Sequence, residues 1–171
     1  MSNYSRPLFV LALFGFAAAL AGAQEAKVAN LAQMKFTPVP GAPKCFSMSV
    51  VDGDPGKGSS AFVLRGTAGC DAPMHYHTPN ERVVMAGGSA YLQMKGDSQV
   101  TLLKPGAFAL APSKHPHHLT CTGVCQIYVF SDGPFDIHWV DADGKEISLA
   151  QAQKASKKLG PGKKAVTTAG D

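Results

Sequence analysis

From Cys45 to Val140 the hydrophobic residues fall in short β-rich runs of four to seven residues, each cut off by Gly, Pro, Asp or Ser. The pattern predicts strands over Cys45–Val51, Ser60–Arg65, Arg82–Met85, Ala90–Met94, Gln99–Leu102, Phe108–Ala111, His117–Cys121, Cys125–Phe130 and Phe135–Val140. Turns carry the expected punctuation: Gly53-Asp54-Pro55-Gly56, Gly87-Gly88, Lys95-Gly96-Asp97, Lys104-Pro105-Gly106 and Ser131-Asp132-Gly133-Pro134. Strands repeating every 8–12 residues or so indicate an antiparallel sandwich or barrel. Helix is scarce. Gln24–Met34 reads as a short helix or arm before Pro38, Pro40 and Pro43 extend the chain, and Ile147–Leu159 as a second short helix. No internal repeat is present.

The first 23 residues have a different character. Leu8–Ala21 is an uncharged apolar run after Arg6, and Ala21-Gly22-Ala23 offers small residues for cleavage, so residues 1–23 read as a leader removed after Ala23. The run falls short of the roughly 20 residues needed to cross a bilayer, which predicts a periplasmic or secreted protein without a stable membrane anchor. The remaining chain divides into an arm (24–44), one β domain (45–140) and an extension (141–171) ending in a disordered basic tail. The formal charge of +4 comes from the ends: Lys154, Lys157, Lys158, Lys163 and Lys164 crowd the tail. Residues 24–150 hold ten basic against eleven acidic side chains, a balance unlike that of a nucleic-acid platform.

Export changes the reading of the four cysteines, because an oxidising compartment lets disulfides persist. Cys121 and Cys125 flank Thr122-Gly123-Val124, which reads as a three-residue hairpin loop with Gly123 at positive φ, so the two would face each other within bridging distance. Cys45 and Cys70 pair only by elimination; two buried small hydrophobes are the alternative.

The chemistry concentrates in two segments, Gly69–Glu81 and Pro112–His117. His75 and His77 are two apart, so in a strand both imidazoles leave the same face, with Tyr76 opposite. Glu81 comes after a Thr-Pro-Asn turn, and His117 arrives from a distant strand with Leu119 on its side and His118 facing away. Three imidazoles and a carboxylate suit one divalent transition metal, with Mn, Fe, Co, Ni, Cu and Zn all compatible. His115 and His118 read as rim or surface residues, and His138 as outward-facing. Phe108, Met85, Val83 and Trp139 are candidate pocket walls, while Asp71, Arg82 and Tyr91 are the candidate acids and bases beyond the ligands.

The segment Gly69-x5-His75-x-His77-x3-Glu81-x6-Gly88 resembles the first motif of the cupin superfamily along its whole length. Gly106-x5-Pro112-x4-His117 resembles the second, after a 17-residue spacer. The resemblance implies an all-β, single-domain, double-stranded antiparallel β-helix, a jelly-roll-like barrel, with His75, His77, Glu81 and His117 as metal ligands. Two positions depart from the pattern: Lys114 stands where a Gly is usual, and Cys121 where an Asn is frequent. The resemblance further implies a small-molecule ligand or substrate and a homodimer paired through strand edges. It is compatible with dioxygenase, isomerase or decarboxylase chemistry in which Glu81 is the candidate base, and equally with a protein that binds a metal or small ligand without turnover.

Overall fold

The structure, a computed structural model, describes residues 26–161. The leader with its cleavage site after Ala23, and the last ten residues of the basic tail, lie outside the described residues. Among those described, no helix is long and apolar enough to cross a membrane. Of the short helix or arm expected over Gln24–Met34, the described part is an arm with one 3-10 turn, Leu31–Gln33, which buries no residue and has no side-chain cap. A short helix with nothing to pack against does not persist.

Among the described residues eleven strands come in the order β1 (Thr37–Pro38), β2 (Phe46–Gly53), β3 (Ser60–Gly66), β4 (Asp71–Tyr76), β5 (Glu81–Gly87), β6 (Ala90–Met94), β7 (Thr101–Leu103), β8 (Phe108–Ala111), β9 (His117–Cys121), β10 (Cys125–Ser131) and β11 (His138–Trp139). They build two antiparallel sheets, β1-β2-β3-β10-β5-β8 and β11-β4-β9-β6-β7. The all-β jelly-roll-like expectation holds, in the form of two separate sheets and not one closed cylinder. Alternation sets the layers. Phe46, Phe62, Met85, Ile127 and Val129 from the six-stranded sheet share a core with Ala72, Leu92, Leu119 and Trp139 from the other. Fully burying each large side chain contributes about 1.5–3 kcal/mol.

Several departures from strict pattern have local causes. The run Phe135–Val140 yields only His138–Trp139 as strand, because the backbone of Phe135 and Asp136 bonds Pro55 and His77 instead of a ladder neighbour. The β4–β9 register shifts between Ala72 and His75, where Pro73 has no N–H to donate. That shift lets Ala72 and His75, three apart, both face the interior.

Cys121 and Cys125 bond to each other with Cα atoms 5.7 Å apart, and Cys45 and Cys70 do so at 5.6 Å. The expected hairpin between the first pair does not form. β9 and β10 belong to opposite sheets, so Thr122-Gly123-Val124 crosses between layers. Gly123 is not at positive φ; the left-handed residue is Gly88 at φ 69°, whose missing Cβ would lie 2.0 Å from the Val124 carbonyl oxygen.

The described part of the extension packs against the domain. Ser148 and Gln151 form a reciprocal capping box at the start of α1 (Leu149–Ala155), and Ala152 is buried beneath it. Ser156 Oγ donates to Asp71 Oδ2 at 2.7 Å and the Leu159 amide to Thr120 Oγ1 at 3.0 Å, fastening this segment over the outer face of the five-stranded sheet.

Gly88→Ala is expected to destabilise by at least about 2 kcal/mol, since it adds a steric collision to the left-handed cost. Gly41→Ala, also left-handed at φ 73° but with nothing within 4 Å of its Cβ, should cost only about 1 kcal/mol. Urea unfolding of both variants distinguishes the two contributions.

Candidate metal centre

The chain brings its candidate ligands together from both sheets. His75 stands opposite His117 in the β4–β9 ladder and opposite Trp139 in β11. His77 lies one residue beyond β4. The chain then turns through Thr78-Pro79-Asn80 into the other sheet, where Glu81 opens β5 between Ala111 and Ser131. The loop before β9 clamps that turn. Lys114 N donates to the His77 carbonyl at 2.8 Å, Ser113 Oγ to the Thr78 carbonyl at 2.6 Å, and Ser113 N to Asn80 Oδ1 at 2.9 Å. Lys114 adopts φ 58° to do so, the single positive φ of a non-glycine residue among those described. The glycine usual at this place would adopt it without strain.

One ligating nitrogen from each of His75, His77 and His117 lies within 4.8 Å of the other two. The Nδ1 atoms all face backbone carbonyls: His75 that of Pro73 at 2.7 Å, His77 that of Asp136, and His117 that of His115 at 3.2 Å. A carbonyl only accepts, so each Nδ1 carries the proton and each Nε2 is left bare. Glu81 Oε1 lies 3.5 Å from His77 Nε2, and Oε2 lies 3.3 Å from His117 Nε2. Bare nitrogens facing a carboxylate repel it unless a positive charge sits among them. His77 Nε2, buried without a hydrogen-bond partner, is the clearest sign of that need. This donor set fits a divalent transition metal.

Electrostatics agree. Burial pushes His75 well below its ordinary 6.5, with the His117 and His77 imidazoles adding to the effect. Burial likewise lowers His77, against the opposing pull of Glu81. Burial disfavours charge on Glu81, and what outweighs it and holds the carboxyl below the ordinary range is positive charge or a proton directed at it from His77 and His117, the same demand that a bound cation would meet. Neutral imidazoles beside an ionised carboxylate are the forms a metal requires.

The cluster forms one end of a cavity of about 60 Å³ otherwise walled by apolar side chains, among them Val83, Leu92, Ile127, Phe135 and Trp139. Phe135 stacks on the His77 ring at 4.5 Å, and Trp139 leans on His75 at 5.0 Å. Of the expected walls, Val83 and Trp139 are present. Met85 is buried elsewhere in the core, and Phe108 is 60 % exposed because it stands on the outer face of edge strand β8. None of the three expected acids and bases reaches the cavity. Asp71 accepts from His118, Thr120 and Ser156 on the outer face, Arg82 pairs with Asp132, and Tyr91 does not border the cavity.

His118 faces away from the metal site as alternation requires, but it is no surface residue. The C-terminal segment covers it, leaving 6 % exposed. His138 is half-buried, stacked on Tyr76 and paired with Asp136 and Glu146. His115 is half-buried in the approach loop. Sequence reasoning missed Asp136, whose carbonyl orients His77 while its carboxylate accepts from Thr78 N at 2.7 Å. A backbone carbonyl leaves no trace in residue type or spacing.

Comparison with known proteins places this architecture. No family model matches the sequence, and no curated protein matches it. Among solved structures, an RmlC-like cupin from Shewanella frigidimarina aligns over 65 % of this chain and 93 % of its own, with TM-score 0.53 and 14 % identity. The polyketide cyclase RemF from Streptomyces resistomycificus aligns over 75 % and 89 %, with TM-score 0.58 and 18 % identity. The DMSP lyase DddQ from Ruegeria pomeroyi aligns over 60 % and 57 %, with TM-score 0.51 and 24 % identity. The chain has the cupin fold, and within it a histidine triad placed to hold a metal ion.

Two outcomes are expected. In the metal-free protein, a folded-state His pKa below 6.5 supplies stability that is present above the unfolded value and lost as pH falls below it. Urea unfolding should therefore show stability decreasing from pH 7 to 5, with a shallower decrease in His75→Gln. Lys114→Gly should gain about 0.5–1 kcal/mol by removing left-handed strain, raising Tm by about 2–3 °C.

Proposed function

We propose that the protein is an exported, metal-binding cupin-fold protein. In this reading His75, His77, His117 and Glu81 hold one divalent transition metal whose open positions face a small apolar cavity. The observation that carries the reading is the orphaned, buried Nε2 of His77, pointed with its two partners into a space shared with a carboxylate. Bound there, the metal would supply Lewis-acid polarisation of an oxygen donor and, if redox-active, a path for electrons.

The chain's own residues divide the remaining work. The carbonyls of Pro73, Asp136 and His115 hold the imidazoles in one tautomer. Phe135 and Trp139 exclude water and fix the rings. Glu81 is the one carboxylate at the cavity among the described residues, and so the group that can take a proton from an incoming ligand. An apolar cavity of about 150 Å³ accepts benzene; one of about 60 Å³ favours an oxygen-bearing molecule of only a few heavy atoms. The leading activity is a metal-dependent, dioxygenase-like reaction on such a molecule. RemF and DddQ, named as a cyclase and a lyase, illustrate that this fold carries enzymes. The second reading, binding without turnover, draws on a specific observation: among the described residues, no acid or base lines the cavity beyond the four proposed ligands.

Metal choice depends on export. A chain threaded unfolded across a membrane acquires its metal outside the cytoplasm, where availability and the order of intrinsic affinities favour copper or zinc over iron or manganese. Two disulfides fit the same oxidising compartment.

The test is elemental analysis of protein purified from its own envelope. About one copper or zinc per chain is expected. His77→Ala should bind metal at least about tenfold more weakly while keeping its far-UV circular dichroism. Unchanged metal content in that variant removes His77 from the ligand set. Oxygen uptake with small dicarbonyl compounds, and none with bulkier phenols, is the expected catalytic signature; tight retention without uptake supports the binding role.

A further inference from the structure

The described residues also line a second, roomier hollow, open to solvent, on the far face of the five-stranded sheet. About 310 Å³ lies between that sheet and the C-terminal helix, against about 60 Å³ at the histidines. Met74, Val140 and Leu159 supply apolar wall, and Lys95, His118 and Lys157 border it.

The charges here are not balanced. Lys95 is half-buried, and its Nζ packs so closely on Gly144 that a Cβ there would lie 2.6 Å away. Neither Lys95 nor Lys157 has an ion-pair partner among the described residues. Asp141 also borders the hollow, but its Oδ1 is held by the Asp143 and Lys145 amides at 3.0 and 2.9 Å, within its own turn. Half-buried Lys95 and exposed Lys157 against the one carboxylate of Asp141 leave a surplus of a single positive charge beside apolar wall. His118, nine-tenths buried, directs Nε2 to Asp71 Oδ1 at 2.8 Å, and its Nδ1 makes no hydrogen bond among the described residues.

We propose that this hollow binds a small organic carboxylate. Its anionic end lies by Lys95 and Lys157, and its aryl or short alkyl body rests on Met74, Val140 and Leu159. The room is about twice the roughly 150 Å³ that admits a benzene ring, so a benzoate-sized molecule fits without rearrangement. An inorganic anion would leave the apolar wall uncovered, and a neutral analogue would leave the lysines unpaired. This site is independent of the metal reading, since it lies on the opposite side of the sheet.

The experiment is an NMR and calorimetric titration of the folded protein with benzoate, benzamide and inorganic phosphate. Saturable benzoate binding is expected, shifting the amides of Gln93, Ala152 and Leu159, with benzamide at least about fivefold weaker. Lys95→Gln should weaken benzoate by a similar factor, and His77→Ala should leave it unchanged. Should Lys95→Gln not fold, Lys157→Gln and the amide map decide instead. The proposal is overturned by no saturation up to about 10 mM benzoate, by phosphate binding more tightly than benzoate, or by loss of benzoate binding in His77→Ala, which would place the ligand on the metal.

Discussion

A carboxylate and three imidazoles share a buried space where the two sheets meet, and each would be costly to bury alone. Glu81 comes from the six-stranded sheet and the histidines from the other side, so the cluster joins the two layers chemically as well as sterically. The surrounding structure serves that meeting. The Pro73 irregularity turns His75 inward, the loop at Ser113 and Lys114 grips the turn leading to Glu81, and three carbonyls hold the imidazole protons on the far side. Aromatic faces then pack against the rings of His75 and His77. Stiff elements and outer hydrogen bonds of this kind give a metal site its geometry before any metal arrives.

The other face of the five-stranded sheet obeys a different logic. A lone sheet there would expose His118 and Thr120 to water. The C-terminal segment covers both, and Asp71 gathers His118, Thr120 and Ser156 into one satisfied network. That network holds the Asp71 carboxyl below its ordinary range: burial resists ionisation, and the three hydrogen bonds overcome it. The resemblance of Asp71, His118 and Ser156 to a nucleophilic triad ends at composition. Ser156 donates to the carboxylate at 2.7 Å, while the imidazole nitrogen, 3.5 Å from its hydroxyl, is itself turned to that carboxylate. The extension is thus part of the fold as far as Leu159, and it creates the hollow with the unpaired lysines.

Much of the architecture is legible in the residue pattern, and its failures are instructive. The runs Ala90–Met94, Phe108–Ala111 and His117–Cys121 coincide with observed strands, because alternation and turn residues are local signals. The Ser148–Gln151 capping box is equally local and sharpens the start of the second helix. Sheet membership is not local. Cys121 and Cys125 read as hairpin partners since a short loop joins them, yet the chain uses that loop to change layers. Phe108 reads as a pocket wall on hydrophobicity alone, although its parity in an edge strand points it outward. Arg82 and Tyr91 have suitable chemistry, but chemistry does not assign a face, and both fall outside the cavity.

For the site itself, side-chain parity along a strand already put His75 and His77 on one face, while Glu81, beyond Pro79, and His117, from a distant strand, joined them as candidates through ligand chemistry and the motif resemblance. Short apolar runs and their punctuation likewise implied the antiparallel β class. Tertiary structure alone decided that the carboxylate arrives from the opposite sheet, that Asp136 orients His77, that the cavity is small and apolar, and that His118 is buried. Those facts depend on which distant strands become neighbours and which backbone carbonyls they present, and a backbone carbonyl is the same for every residue type.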